Sequence, residues 1–255
     1  MHNYKFNIGA MGLKIWLVLA ILSTWSCAGE QSDEISLTTF LPNGAKFKGK
    51  IVEGLFEGKG ILIEATGDSY EGQFRNGVAN GVGVFKGHAG DRYEGEFKGG
   101  ICEGKGTLVL PSGDRYEGGF RDGHYDGIGI FKGHAGDQYE GEFKGGICEG
   151  KGTLVLPNGD RYEGGFRDGH YDGRGVFKSH AGDRYEGEFK NGKYDGRGVL
   201  SFASGSIVEG EFEAGKLIDV RKRTFALFHK ISTVVLPLML LVSVVLNVVL
   251  VFKRR

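Results

Sequence analysis

The sequence predicts an all-β protein, an elongated antiparallel array of β-hairpins, on three observations. A 23-residue period starts at Phe47 and recurs in phase, without a gap, from Tyr70, Tyr93, Tyr116, Tyr139, Tyr162 and Tyr185 as far as Ile207. The head of each unit alternates with period two: Tyr93, Gly95 and Phe97 fall on one side, Glu94, Glu96 and Lys98 on the other, as a strand requires. At a fixed phase come Asn76-Gly77, Gly99-Gly100, Asp122-Gly123, Gly145-Gly146, Asp168-Gly169 and Asn191-Gly192, dipeptides that tolerate the positive φ of a tight hairpin turn. Repeats of this length stack neighbour on neighbour and do not close around a single core.

The elements follow in chain order. Lys5 and Lys14 precede an apolar stretch from Ile15 to Leu22, and Ser26, Cys27 and Ala28 form a small-x-small site, the plan of a secretory signal peptide over residues 1–28. An uncleaved signal anchor is the alternative, and Trp25 argues against a bacterial lipoprotein site at Cys27. A short linker, 29–35, leads to the array, 36–217, with seven full repeats over 47–207. Half units flank them as caps, TTFLPNGAK before and VEGEFEAGK after. A basic juxtamembrane segment, 218–230, carries Arg221, Lys222 and Arg223. Residues 231–252 run without a charge and, at about 1.5 Å per residue, are long enough to cross a hydrocarbon core of about 30 Å. A transmembrane helix is expected there, with Pro237 placed to kink it, and residues 253–255 form a basic tail.

Orientation is read from the N-terminal end. Lys5 and Lys14 lie before the first apolar stretch and Glu30, Asp33 and Glu34 after it, which places the repeats outside the cytosol and the C-terminus inside. A glycolipid-anchor signal would end apolar, and this chain ends KRR.

The 32 basic and 32 acidic residues balance over the chain but not along it. Residues 217–255 carry seven Lys or Arg against Asp219, whereas residues 36–217 carry 23 basic and 28 acidic side chains, a net of −5. Such an array is a poor match to nucleic acid or to an anionic membrane surface. Glycine, 47 of 255 residues, sits at fixed phases of the repeat. Because glycine weakens a strand interior, its recurrence there needs a reason, and the expected one is room for aromatic rings to lie flat across the sheet. Cys102 and Cys148 share a phase four strands apart, roughly 19 Å at about 4.8 Å per strand. They are too distant for a disulfide.

Residues 93–138 and 139–184 agree at 41 of 46 positions, so two units were copied together. The unit YEGEFKNGKYDGRGVLSFASGS, with Tyr-Glu-Gly in front and Gly-x-Gly in the middle, closely resembles the MORN (membrane occupation and recognition nexus) repeat over about residues 36–217. The resemblance implies a MORN-type solenoid sheet used for protein interaction, dimerisation or membrane association. Junctophilins combine such repeats with a C-terminal membrane anchor, but this chain adds a signal-like N-terminus and lacks their long helical spacer.

No unique catalytic arrangement is present. His88, His134 and His180 recur in one turn context, and His124 and His170 at another phase; copies 46 residues apart cannot converge on one metal ion. Glu71, Glu94, Glu117, Glu140, Glu163 and Glu186 form a column expected to pair with Lys or Arg across strands. GKGTLVLPSG lacks the spacing of a phosphate loop. No enzyme, cofactor or metal site is therefore expected. The expected role is that of a membrane-anchored structural or adaptor protein whose repeats bind another protein or a second copy. The alternative is a junctophilin-like, tail-anchored contact or lipid-binding protein with cytosolic repeats. The candidate interaction surface is the aromatic set Tyr93, Phe97, Tyr116, Phe120, Tyr139, Phe143, Tyr162, Phe166, Tyr185 and Phe189, with Arg221, Lys222 and Arg223 as membrane-proximal cations.

Overall fold

The computed structural model describes residues 38–220, which form one antiparallel sheet of seventeen strands. Every strand bonds to its neighbours in the chain, from Thr38–Phe40 at one edge to Lys216–Val220 at the other. That last strand runs three residues beyond the expected array boundary at 217. No helix occurs among the described residues, and none there is long and apolar enough to cross a membrane. The signal peptide over 1–28, the linker 29–35, the cations Arg221, Lys222 and Arg223, the span 231–252 and the tail 253–255 all lie outside the described residues.

Each repeat is a seven-residue strand such as Arg92–Lys98 followed by a nine-residue strand such as Ile101–Val109. The turn between them has positive φ at both central positions, 51° and 81° at Asn76-Gly77, 48° and 76° at Asp122-Gly123, which is the tight hairpin geometry that these dipeptides favour. The turn also grips the previous hairpin: the Gly100 N–H donates to the Ala79 carbonyl at 2.9 Å and the Gly123 N–H to that of Cys102 at 3.0 Å.

The unequal strand lengths are absorbed by a bulge in each hairpin. Gly95 pairs with Gly106 and Phe97 with Cys102, so Glu96 alone opposes Glu103, Gly104 and Lys105. Gly104 takes φ 70° there, and the Glu96 carboxylate accepts the Lys105 N–H at 2.9 Å. This separates the roles of the two glycines in the second strand. Gly104 serves the bulge, where an L side chain would be strained; only Gly106 makes room for a ring.

A Cβ on Gly106 would lie 2.4 Å from the Tyr93 hydroxyl oxygen and 2.6 Å from two of its ring carbons. Tyr93 thus lies flat on Gly95 and Gly106, and its hydroxyl donates to the Glu96 carbonyl at 3.0 Å. Phe97 stands edge-on to Tyr93 at 5.0 Å and to Tyr70 of the preceding repeat at 4.9 Å. The same pair of contacts recurs through Phe120, Phe143, Phe166 and Phe189, and Phe212, whose own unit has Val208 in place of the tyrosine, keeps the contact with the preceding Tyr185, so the core is one aromatic ladder in which each repeat touches the next. Sixteen strand spacings of about 4.8 Å give a ribbon on the order of 75 Å long. Small-angle scattering of residues 38–220 is expected to return an elongated particle of that length, and a compact sphere would refute the open array.

Candidate binding groove

The structure corrects the expected interaction surface. Tyr93, Phe97, Tyr116, Phe120, Tyr139, Phe143, Tyr162, Phe166, Tyr185 and Phe189 are all buried, with no more than 6% of any of them exposed. Their ring faces are spent on glycine backbone and their edges on neighbouring rings, which leaves nothing to offer a partner. The surface open to a partner is the opposite face of the sheet.

On that face the register lines up four rows along the ribbon. One row alternates glutamate with β-branched residues: Val84, Glu94, Thr107, Glu117, Ile130, Glu140, Thr153, Glu163, Val176, Glu186, Val199 and Glu209. Beside it runs a mixed row containing Glu96, Lys105, Ile128, Glu142, Lys151, Arg174, Glu188, Arg197 and Glu211. Outside these two lie basic rows, Lys86, Arg92, Arg115, Lys132, Arg161, Lys178 and Arg184 on one flank and Arg75, Lys98, Arg121, Lys144, Arg167 and Lys190 on the other. The net negative charge of the array therefore conceals an acidic centre between two basic margins.

Toward the C-terminal end the two central rows bound a groove of about 450 Å³. Its floor is the backbone of Gly175, Gly187, Gly198 and Gly210; Val176, Glu186, Val199 and Glu209 line one wall and Arg174 and Arg197 the other. Sequence reading missed this groove, although the glycine phase was visible, because its lining comes from cross-strand neighbours, Val176 with Glu186 and Val199 with Glu209, that meet only in the folded register.

The glutamate column is paired, but along the strand. Arg92 donates to Glu94 at 2.6 Å, Arg115 to Glu117 at 2.7 Å and Arg161 to Glu163 at 3.3 Å, and Arg184 pairs with Glu186 in the same way. The expected cross-strand partners are the β-branched residues instead. At Glu71 and Glu140 the position two before is Ser69 and Gln138, which carry no charge.

The recurrent histidines tie neighbouring repeats together at the opposite turns. Oδ1 of Asp68 accepts the His88 backbone N–H at 2.8 Å and lies 2.6 Å from His88 Nδ1. Asp114 does the same for His134, and Asp160 for His180. The offset of 20 residues was visible in sequence, but its meaning needed the turns to be adjacent in space. In alternate repeats the histidine position holds Pro111 or Pro157, which lack an N–H. Asp91 faces that situation, and its buried Oδ2 has no hydrogen-bond partner. Among the described residues no group of three or more His, Cys, Asp or Glu is placed to hold a metal ion.

Burial works to raise the pKa of Asp114, but the His134 backbone N–H and ring and the Ser112 hydroxyl outweigh it and hold the carboxyl below the usual range. Asp68 follows the same pattern, and at Asp160 the His180 N–H is the leading cause of the depression. A depressed carboxyl contributes stability above its unfolded value of about 3.9 and loses it as pH falls through the lower folded value. The melting temperature of the array is expected to hold from pH 7 to about 5 and to fall below about 4. The decline should be shallower in Asp114→Asn/Asp160→Asn. An unchanged acid limb in that variant would show that the rungs are not involved.

Cys102 and Cys148 are buried and unpaired, and burial pushes both thiols up to about 12. They occupy the phase where other repeats stack a second ring, as Tyr125 does on Tyr116 at 3.6 Å and Tyr171 on Tyr162 at 3.7 Å. Small residues in one copy and rings in the next fill the same layer.

Comparison with known proteins adds the following. The MORN repeat family profile matches six consecutive segments, residues 70–92, 93–115, 116–138, 139–161, 162–184 and 185–207. No curated protein matched the chain. Among solved structures, the TCP domain of SAS-4 (dCPAP) of Drosophila melanogaster, in complex with a proline-rich motif of Ana2 (dSTIL), aligns at 9% identity with a TM-score of 0.38, covering 75% of this chain and 99% of that one. The TCP10 domain of Danio rerio CPAP aligns at 15% identity with a TM-score of 0.28, covering 73% and 99%.

Proposed function

From a chain that belongs to the MORN repeat family, we propose a protein-interaction scaffold that presents its partner site on the charged face of the ribbon. The groove between Glu186 and Arg174 carries this reading. There the face departs from a flat, solvated sheet and combines both signs of charge with the apolar side chains of Val176 and Val199. Apolar side chains beside a few convergent polar groups are what a specific binding site requires. The finer proposal keeps the sequence expectation: the scaffold is anchored by residues 231–252, its repeats lie outside the cytosol, and it binds another protein or a second copy of itself.

A photo-crosslinking residue in place of Val199 is expected to give discrete protein adducts in intact membranes. Lipid adducts alone would favour the junctophilin-like alternative. Epitope tags test the topology: one between Gly29 and Ser36 should be reached from outside the cytosol, and one after Arg255 only from within. Two cytosolic tags would replace the exported scaffold with a tail-anchored one.

A further inference from the structure

We propose that the groove takes an extended polyproline II segment of a partner protein, with a cationic side chain at every third residue. The inference rests on the reading of the array as a protein-binding scaffold and specifies the chemistry of what binds.

Periodicity selects the conformation. The central row offers one glutamate per repeat, unbroken from Glu71 to Glu209. One repeat is two strands, so the carboxylates recur at about 9.4–9.8 Å. A polyproline II helix rises about 9.3 Å over three residues and returns the same face each time. A ligand β-strand returns a face every two residues, about 6.6–6.8 Å, and falls out of step at once. An α-helix returns one after seven residues, about 10.5 Å, and drifts by roughly an ångström per repeat.

Charge selects the side chains. Cations on the neighbouring mixed row are interrupted, since Val82 and Ile128 stand where Lys105, Lys151, Arg174 and Arg197 stand in other repeats. The unbroken register is therefore one of carboxylates, and a ligand that follows it must be basic to share them with the arginines that pair with them along the strand. Arg174 and Arg197 on the opposite wall then face the ligand backbone. Its carbonyls are without internal partners in this conformation and accept hydrogen bonds.

The same rows argue against a second copy as occupant. Across the strand the charges run plus, minus, minus, plus, as in Arg92, Glu94, Glu96 and Lys98. Two such faces related by a two-fold axis along the strands place like rows on like rows. An axis along the ribbon superposes the two basic margins. With the axis through the middle of the face, either arrangement sets cation against cation.

The test is fluorescence anisotropy with the full chain in neutral detergent, using labelled peptides of three Arg-Pro-Pro units. Saturable binding that weakens with salt is expected. Three Arg-Pro-Pro-Pro units carry the same charge but shift by about 3 Å per repeat, and should bind several-fold more weakly. Glu186→Gln/Glu209→Gln should lower affinity by roughly fivefold or more, as the loss of two exposed charge pairs allows. Unchanged circular dichroism would confirm that the variant is folded. Equal affinity for the two spacings would overturn the register argument. Tighter binding of a Glu-Pro-Pro peptide would assign the surface to the basic margins. Self-association abolished by Glu186→Gln would assign the groove to a second copy. Protein adducts at position 199 without binding of any peptide would remove the peptide chemistry and leave the scaffold standing; failure of both would remove the scaffold as well.

Discussion

Phe143→Ala is expected to destabilise the array by about 3–5 kcal/mol, the usual cost of deleting a packed ring, and to do so locally. Phe143 is 3% exposed and stands edge-on to Tyr139 at 4.9 Å, to Tyr116 at 5.1 Å and to Tyr125 at 5.7 Å. All three rings belong to its own repeat or the one before. In an array stabilised by nearest-neighbour contacts the damage stays with those two units. Hydrogen exchange should accelerate across residues 116–161 while the repeats 47–69 and 185–207 keep their protection. Lys144→Ala, on the exposed face of the same strand, should change stability by no more than about 0.5 kcal/mol. Uniform loosening of every repeat would show that the sheet unfolds as one cooperative body.

The second large effect is expected from Gly152→Ala, a change of one methyl group. A Cβ at this position would lie 2.4 Å from the hydroxyl oxygen of Tyr139 and 2.6 Å from two of its ring carbons. The ring has nowhere to go. Gly141, on the ring's own strand, supports it beside Gly152, and the Tyr139 hydroxyl is committed to the Glu142 carbonyl at 2.9 Å. Overpacking of this kind costs about 1–3 kcal/mol, read as a lowered urea midpoint. In the background of Tyr139→Leu the same substitution should cost much less, because the two changes act on one contact. Gly145→Asn is the control. Its φ is 56°, nothing lies within 4 Å of the added carbon, and Asn76 and Asn191 already occupy the equivalent turn position. It should be close to neutral. Equal losses at 145 and 152 would mean that backbone freedom, and not ring contact, explains the in-strand glycine.

These two glycines mark how far the fold could be read without coordinates. The 23-residue period, the alternation in Tyr93–Phe97 and the dipeptide turns depend on local chemistry alone, so the strands, hairpins and open sheet were legible. The aromatic ladder was half legible. Flat tyrosines over glycine followed from spacing, but the separate duty of Gly104 did not, because it depends on a bulge that offsets the strands by two residues. The functional surface was the least legible part. Large rings suggested a place for a partner, and the structure spends them internally; the groove sets Glu186 of the glutamate column beside Gly175, Val176 and Arg174, residues whose adjacency is a matter of register. The same holds for the rungs from Asp114 to His134. The sequence contains the offset, and only the stacking of turns gives it a purpose.

The strand order has a kinetic consequence. In each hairpin the outermost backbone pair, such as Gln138 with Val155, is separated by 17 residues, and the next strand closes from Val155 to Arg161 over only six. The side-chain rungs reach back 20 residues and the aromatic contacts 27. A sheet of seventeen strands would ordinarily belong among slow folders, because distant segments must meet before their contacts repay the loss of chain entropy. Here no segment waits for a distant one. The array has the low contact order of a helical bundle in an all-β body, and each repeat can find its place as soon as the one before it exists. Folding should therefore follow synthesis from the N-terminal repeat onward, with one exposed growing edge at any moment. That edge is the place where an interrupted chain would be open to pairing with another.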